Sequence, residues 1–211
     1  MTDKNVEPIV AGGSPVRVMP GVDGHLVERR IKSESVYDGH FLKVRRDEVR
    51  LPDGKTAFRE YVVHPGAVMI VPFLDDGQLV VERQHRYPLD RVLVEFPAGK
   101  LDPDETTLAC ARRELREETG YAASEWAYAG RMHNACAYST EFIEIWFARG
   151  LEPGPRQLDE GEFVEVHAIA EAALFELAAS GELTDAKTIV GLLKLQQWRN
   201  GTWTPPWQST D

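Results

Sequence analysis

Polar and apolar residues alternate through much of the first half of the chain. Between residues 35 and 64 the runs 41–45 (FLKVR) and 57–63 (AFREYVV) flank the turn sequence Pro52-Asp53-Gly54 and predict an antiparallel hairpin or meander. A second hairpin is predicted from the β-branched, apolar runs 68–74 and 78–83 on either side of Asp75-Asp76-Gly77, with a short strand at 92–96 before Pro97. The period then changes. Leu108, Ala111 and Leu115 recur at i, i+3 and i+7, and Gly120 stands where a C-terminal cap belongs, so 104–119 is predicted to be helical. Strands are predicted at 126–132, 142–148 and 163–168. Two helices follow at 171–180, ending at Gly181, and at 185–199, with Thr184 as N-cap and Asn200-Gly201 as the stop. No internal repeat is visible. Many strands with one central and two terminal helices predict an α+β chain, an α/β sandwich of mixed β-sheet rather than a doubly wound parallel fold.

The same pass divides the chain. Residues 1–27 hold Gly12-Gly13, Pro15, Pro20-Gly21 and Gly24 with little periodicity and are expected to be an irregular leader. A small N-terminal antiparallel β subdomain is expected over 28–64, the main domain over 65–200 and a tail over 201–211. At 211 residues, one large domain or a compact domain with an appendage is the limit. Lys and Arg number 24 against 34 Asp and Glu, and the net charge of −10 would repel a phosphate backbone, which argues against a nucleic-acid partner. The longest strongly apolar runs, such as 67–74, fall far short of the ~20 residues that span a bilayer. No membrane partner is expected, the first residues lack the shape of a secretory signal, and a cytoplasmic location follows as the expectation. The two cysteines, Cys110 and Cys136, make no disulfide framework, and the six histidines are scattered without metal-binding spacing.

The chemistry concentrates on the central helix. Glu114, Glu117 and Glu118 are related by i, i+3 and i+4, so they project from one side as near neighbours. Like charges so placed destabilise a helix by a few tenths of a kcal/mol per pair unless something neutralises them. A hard divalent cation would do so, taking carboxylate oxygens while leaving positions for water and phosphate. An isolated Glu-Glu pair reads as a solvated face; the surroundings decide otherwise here. The segment 99–121, GKLDPDETTLACARRELREETGY, places Gly99, Glu105, Arg113, Glu114, Glu117, Glu118 and Gly120 at the separations of the Nudix hydrolase signature. A chance match of all seven positions is on the order of one in a million. Tyr121, in the final aliphatic slot, is the one departure.

Gly99 and Gly120 are expected to permit tight backbone geometry where the loop enters and leaves the helix. Arg113 is expected to hold Glu105 across the loop and so orient the ligands without touching metal. The resemblance implies a Nudix-type fold, an α/β/α sandwich of mixed β-sheet, and Mg²⁺, with Mn²⁺ as a substitute. The metal would be held by Glu114 and Glu118, with Glu117, by the backbone carbonyl of Ala98, and by Glu162 as an additional ligand. The reaction implied is hydrolysis of a nucleoside diphosphate linked to another group.

Flanking sequence selects a branch. Glu95-Phe96-Pro97-Ala98-Gly99-Lys100-Leu101-Asp102, Gln84-His85-Arg86-Tyr87-Pro88, Asp159-Glu160-Gly161-Glu162 and Asp185-Ala186-Lys187-Thr188 are each similar to the ADP-ribose pyrophosphatase branch. That likeness implies cleavage of ADP-ribose to AMP and ribose 5-phosphate. It also implies a homodimer that exchanges its N-terminal β subdomains. Arg59, Glu60 and Arg86 match residues that contact adenine or phosphates, Glu141 is a weaker substrate-side candidate, and His40 occupies a slot where relatives stack a ring on adenine. Glu160 matches the loop base, and Glu117 is counted with it among the catalytic residues. Rival readings are hydrolysis of another nucleoside diphosphate sugar, such as GDP-mannose, or a non-catalytic ligand sensor.

Overall fold

The protein is seen as a computed structural model that describes residues 24–209. Most of the expected leader, 1–23, and the last two residues of the expected tail lie outside the described residues.

Strands β1 (Arg29–Asp38), β2 (Lys43–Arg50) and β3 (Thr56–Val63) form an antiparallel sheet in the order β1-β2-β3. The alternation predicts the 57–63 strand and is visible only from residue 35, whereas, inside the β subdomain expected from residue 28, β1 begins at Arg29. Nine of its ten residues are exposed, so its pattern carries no buried face; its ladder with β2 holds it in place, with irregularities at 30–32 and 35–37. This sheet meets the rest of the chain where Val62 exchanges backbone hydrogen bonds with Tyr138 and Thr140.

The second predicted hairpin does not form as such. β4 (Ala67–Pro72) and β5 (Gln78–Arg86) share one bridge, Phe73 to Leu79, and then part into different sheets. Every residue of β4 is buried, and a strand apolar on both faces belongs in the middle of a covered sheet rather than in a half-exposed hairpin. It runs parallel to β9 (Ile143–Pro153) and antiparallel to the short β7 (Ala98–Lys100). With β8 (Tyr121–Met132) and β11 (Gln208–Ser209) these make a mixed sheet in the order β11-β8-β9-β4-β7. β5 instead pairs with β6 (Arg91–Glu95) and β10 (Val164–Ala170) in a three-stranded antiparallel sheet.

Helices cover both faces of the mixed sheet. On one, α1 (Thr107–Glu114) packs Cys110 and Ala111, with Leu115 beyond its end, on Val68, Ile70, Trp126 and Trp146. On the other, Leu174 of α2 (Glu171–Ser180) and Leu192 and Leu195 of α3 (Ala186–Arg199) pack on Met69, Val71 and Phe147. This is the expected α/β/α sandwich. The N-cap of α3 is Asp185, whose carboxylate accepts the Thr188 N–H at 2.9 Å, one residue later than expected. Past α3, Trp203 and Trp207 pack against the core, and Trp207 meets Phe73 and Trp198 edge-on, which anchors the segment that ends in β11.

Candidate active site

The central helix begins at Thr106, whose hydroxyl accepts the Ala109 N–H at 3.2 Å, two residues after the predicted start. α1 ends at Glu114, and Leu115–Thr119 continues as a π turn closed by Gly120 at φ 79°. The i→i+5 pattern widens this turn relative to an α-helix, so the three glutamates are spread over an α-to-π junction and not on a regular wheel. All three line a cavity of about 680 Å³, together with Arg86, Glu141 and Glu162.

Glu118 is 5% exposed, and its Oε2 accepts the Ala98 N–H at 3.0 Å. Burial pushes its pKa up, and the charges of Glu82, Glu114 and Glu162 push the same way. Glu114 is also raised by burial, against the opposing pull of Arg113. Arg113 grips Glu105 through two bonds, Nε to Oε1 at 3.0 Å and Nη2 to Oε2 at 2.8 Å, which hold the Glu105 carboxyl at about 2. Its Nη1 lies 2.7 Å from Glu114 and 3.1 Å from Glu117. Arg113 thus donates to the carboxylates of Glu105, Glu114 and Glu117.

Gly120 matches its expected role, but Gly99 does not. Gly99 lies in β7 outside the positive-φ region, so backbone freedom is not what it supplies. A Cβ there would fall 1.8 Å from the Glu114 carboxyl carbon. The residue is small so that Glu114 can lie against the strand.

These observations test the fit of a divalent cation. The donors are hard oxygens, the deepest carboxylate is surrounded by others, and the Gly99 cradle reserves room for Glu114, all of which suit Mg²⁺. No finished cage of three or more His, Cys, Asp or Glu side chains exists among the described residues. Arg113 occupies two of the carboxylates, and an incoming cation must compete with it.

The other expected residues divide. Arg86 lines the cavity, and Glu95, 3% exposed, takes its Nε and Nη2 at 2.7 Å each. Lys187 completes this group by pairing with Glu95 and with Asp185. Glu141 lines the cavity 3.7 Å from His64 Nε2. His64 Nδ1 accepts the Gly66 N–H at 3.1 Å, and burial lowers its pKa. From the loop before β10, Asp159 and Glu162 reach the lining, whereas Glu160 is exposed and outside it. Arg59 is bound to Glu28 on the N-terminal sheet and Glu60 faces Arg46 at 3.9 Å; neither lines the cavity of its own chain.

His40 is also outside. Its neighbour Phe41 lines the cavity, with Lys100 Nζ 4.4 Å from the ring centroid. Residues 39–42 form a turn, closed by Gly39 N–H to the Leu42 carbonyl, and strand alternation does not predict which side chain such a turn points inward. Sequence reasoning also missed His64, Gln84, Asp185 and Lys187 as lining residues. Gln84 lies in the Gln84-His85-Arg86-Tyr87-Pro88 motif and the last two in Asp185-Ala186-Lys187-Thr188, so these three had a signal, but no assigned role.

Known proteins agree with this picture. The NUDIX domain profile matches residues 63–189, and the profile of the nucleoside diphosphate sugar hydrolase N-terminal domain matches residues 28–62. Over 173 residues the chain is 37% identical to an ADP-ribose pyrophosphatase of Bacillus subtilis (strain 168), covering 81% of this chain and 94% of that one. It is 34% identical over 171 residues to a methanol dehydrogenase activator of Bacillus methanolicus, covering 80% and 92%. A crystal structure of an ADP compounds hydrolase superposes with a TM-score of 0.75 at 25% identity, over 83% of this chain and 95% of that one. With a signature helix whose carboxylates gather on one cavity and a family profile that spans more than half of its length, the chain belongs to the Nudix hydrolase family.

Proposed function

We propose that this enzyme hydrolyses the diphosphate of a nucleoside diphosphate sugar in the presence of Mg²⁺, and that ADP-ribose, giving AMP and ribose 5-phosphate, is its substrate. The observation that carries the reading is the convergence of Glu114, Glu117 and Glu118 on the cavity that Arg86 also lines. The B. subtilis relative and the superposed hydrolase support the choice of an ADP compound.

Glu114, Glu117, Glu118 and Glu162, with the Ala98 carbonyl, would hold the metal. When bound, it neutralises charge on the diphosphate and makes a water easier to deprotonate. Arg86, with Nε and Nη2 fixed by Glu95, keeps its Nη1 edge for a phosphate oxygen. Glu95 prevents the guanidinium from swinging away. Glu160 is the proposed base; it sits beside Gly161 at φ 88°, a joint about which the loop can bring it to the cavity that Asp159 and Glu162 already line. Glu141, held near His64, faces the substrate.

We assign a homodimer. The sheet β1-β2-β3 exposes Val36, Tyr37, Leu42 and Phe58, and its Arg59 and Glu60 have no place in their own cavity, which suits a sheet laid over the partner's site. A cytoplasmic location accords with two free thiols, one of them exposed, and no helix among the described residues is long and apolar enough to cross a membrane.

The test is a panel of nucleoside diphosphate sugars with Mg²⁺ and separated products. AMP from ADP-ribose, lost at least tenfold in kcat in Glu118→Gln, is the expected result. Rapid turnover of GDP-mannose with none of ADP-ribose overturns the substrate, and binding without turnover of any member leaves a ligand sensor.

A further inference from the structure

Outside the signature, Glu82 is one of four side chains among the described residues with a buried polar atom that has no hydrogen-bond partner, and the one of them on the cavity side of β5. It stands on β5 with 3% of its surface exposed, and its Oε1 is sealed from solvent without a hydrogen-bond partner. Strand alternation puts it on the same face as Gln84, which lines the cavity, and its ladder partner on β6 is Glu95. Glu82 itself is not among the lining residues. Of the charges acting on Glu118, that of Glu82 weighs most.

The cations near Glu82 are committed elsewhere. Arg156 donates Nε to the Glu118 carbonyl at 2.7 Å and Nη2 to the Val164 carbonyl at 2.9 Å. Lys187 pairs with Glu95 and with Asp185. The remaining charged neighbours of Glu82, Glu95 and Glu162, are themselves acidic. A buried carboxylate oxygen without a hydrogen-bond partner is costly, and the residues just before Glu82 on β5, Val80 and Val81, are the kind of side chain a purely structural position would take. The charge of this one acts on Glu118, the most buried glutamate of the proposed metal centre.

We infer that Glu82 is a further ligand group of the divalent-cation centre, holding one ion from strand β5 jointly with Glu118. The signature helix would then supply one side of the centre and β5 another. Glu82 would fix the ion deep in the fold, where the Ala98 N–H already positions Glu118. The inference rests on the reading of Glu114, Glu117 and Glu118 as metal ligands, and its test separates the two.

Metal-free full-length protein is titrated with Mn²⁺, and free ion is counted by electron paramagnetic resonance for wild type, Glu82→Gln, Glu82→Leu and Glu118→Gln. Thermal unfolding with and without Mn²⁺ is followed in parallel. Glu82→Gln keeps the shape of the side chain and is expected to lose one bound ion per chain or to weaken it at least tenfold. It should also lose part of the rise in Tm that Mn²⁺ gives the wild type. If Glu82→Gln fails to fold, Glu82→Leu, which matches the apolar strand, carries the measurement. Wild-type number and affinity in the folded Glu82 variant, with loss only in Glu118→Gln, overturns this inference and leaves the signature site standing. No ion bound by the wild type overturns both.

Discussion

Replacing Gly99 by alanine puts the Glu114 contact to a quantitative test. The new Cβ would lie 1.8 Å from both the Cδ and Oε1 of Glu114 and 2.3 Å from Oε2, so the carboxylate must retreat by about 1.6 Å to reach ordinary contact at 3.4 Å. Gly99 is outside the positive-φ region, and what the methyl meets is the far end of a flexible side chain. The fold therefore absorbs the change at the cost of modest overpacking, about 1–3 kcal/mol. The reaction does not, because a displacement of about 1 Å in a catalytic group can cost on the order of a hundredfold. Gly120→Ala is the control. There φ is 79° and the Cβ would lie 2.6 Å from the Gly154 backbone carbonyl oxygen, so about 1–2 kcal/mol of left-handed strain adds to a clash with main chain. Gly99→Ala should lower kcat for AMP release by about a hundredfold with a small drop in Tm, and Gly120→Ala should show a larger drop in Tm. A Gly99→Ala enzyme within twofold of wild-type kcat would refute the argument that the glycine exists to seat Glu114.

Acid titration reports on the grip of Arg113. The folded Glu105 carboxyl sits at about 2 against an ordinary 4.5, so the unfolded chain binds more protons across that window and the stabilisation is lost as pH falls through it. The stability gap between wild type and Glu105→Gln should be full above about pH 5.5 and shrink toward zero near pH 2, measured by urea unfolding; a gap that stays constant contradicts the ion pair. Trp207→Ala removes an indole that packs on Phe73 and Trp198 and carries the Arg149 guanidinium 4.1 Å from its ring centroid. A loss of about 2–3 kcal/mol with unchanged KM is expected, and an unaltered Tm would show that the C-terminal segment is dispensable. Glu160→Gln should reduce kcat at least a hundredfold while Mn²⁺ affinity stays at the wild-type level; an active Glu160→Gln enzyme returns the role of base to Asp159 or Glu162.

The sequence by itself determined the chemistry that local spacing controls. Seven residues at fixed separations placed Glu105, Arg113, Glu114, Glu117 and Glu118 on one loop and helix, and periodicity located that helix and both terminal ones, because side chains three or four apart on a helix must be neighbours. A mixed-sheet α/β sandwich followed from the same counts, and the helices on both faces from the family resemblance. Tertiary structure decided what depends on residues far apart in the chain. It sent β4 and β5 to different sheets, because a strand buried on both faces competes for the middle of the core and local pattern does not reveal which strand will flank it. It turned Phe41 inward in place of His40, made Gly99 a question of space rather than of backbone, and tied Arg86 to Lys187 through Glu95. It also buried Glu82, whose charge acts on Glu118, 36 positions away in the chain. Burial and the sum of neighbouring charges are properties of the packed molecule, and they exist only once distant strands have closed around the helix that the sequence had already drawn.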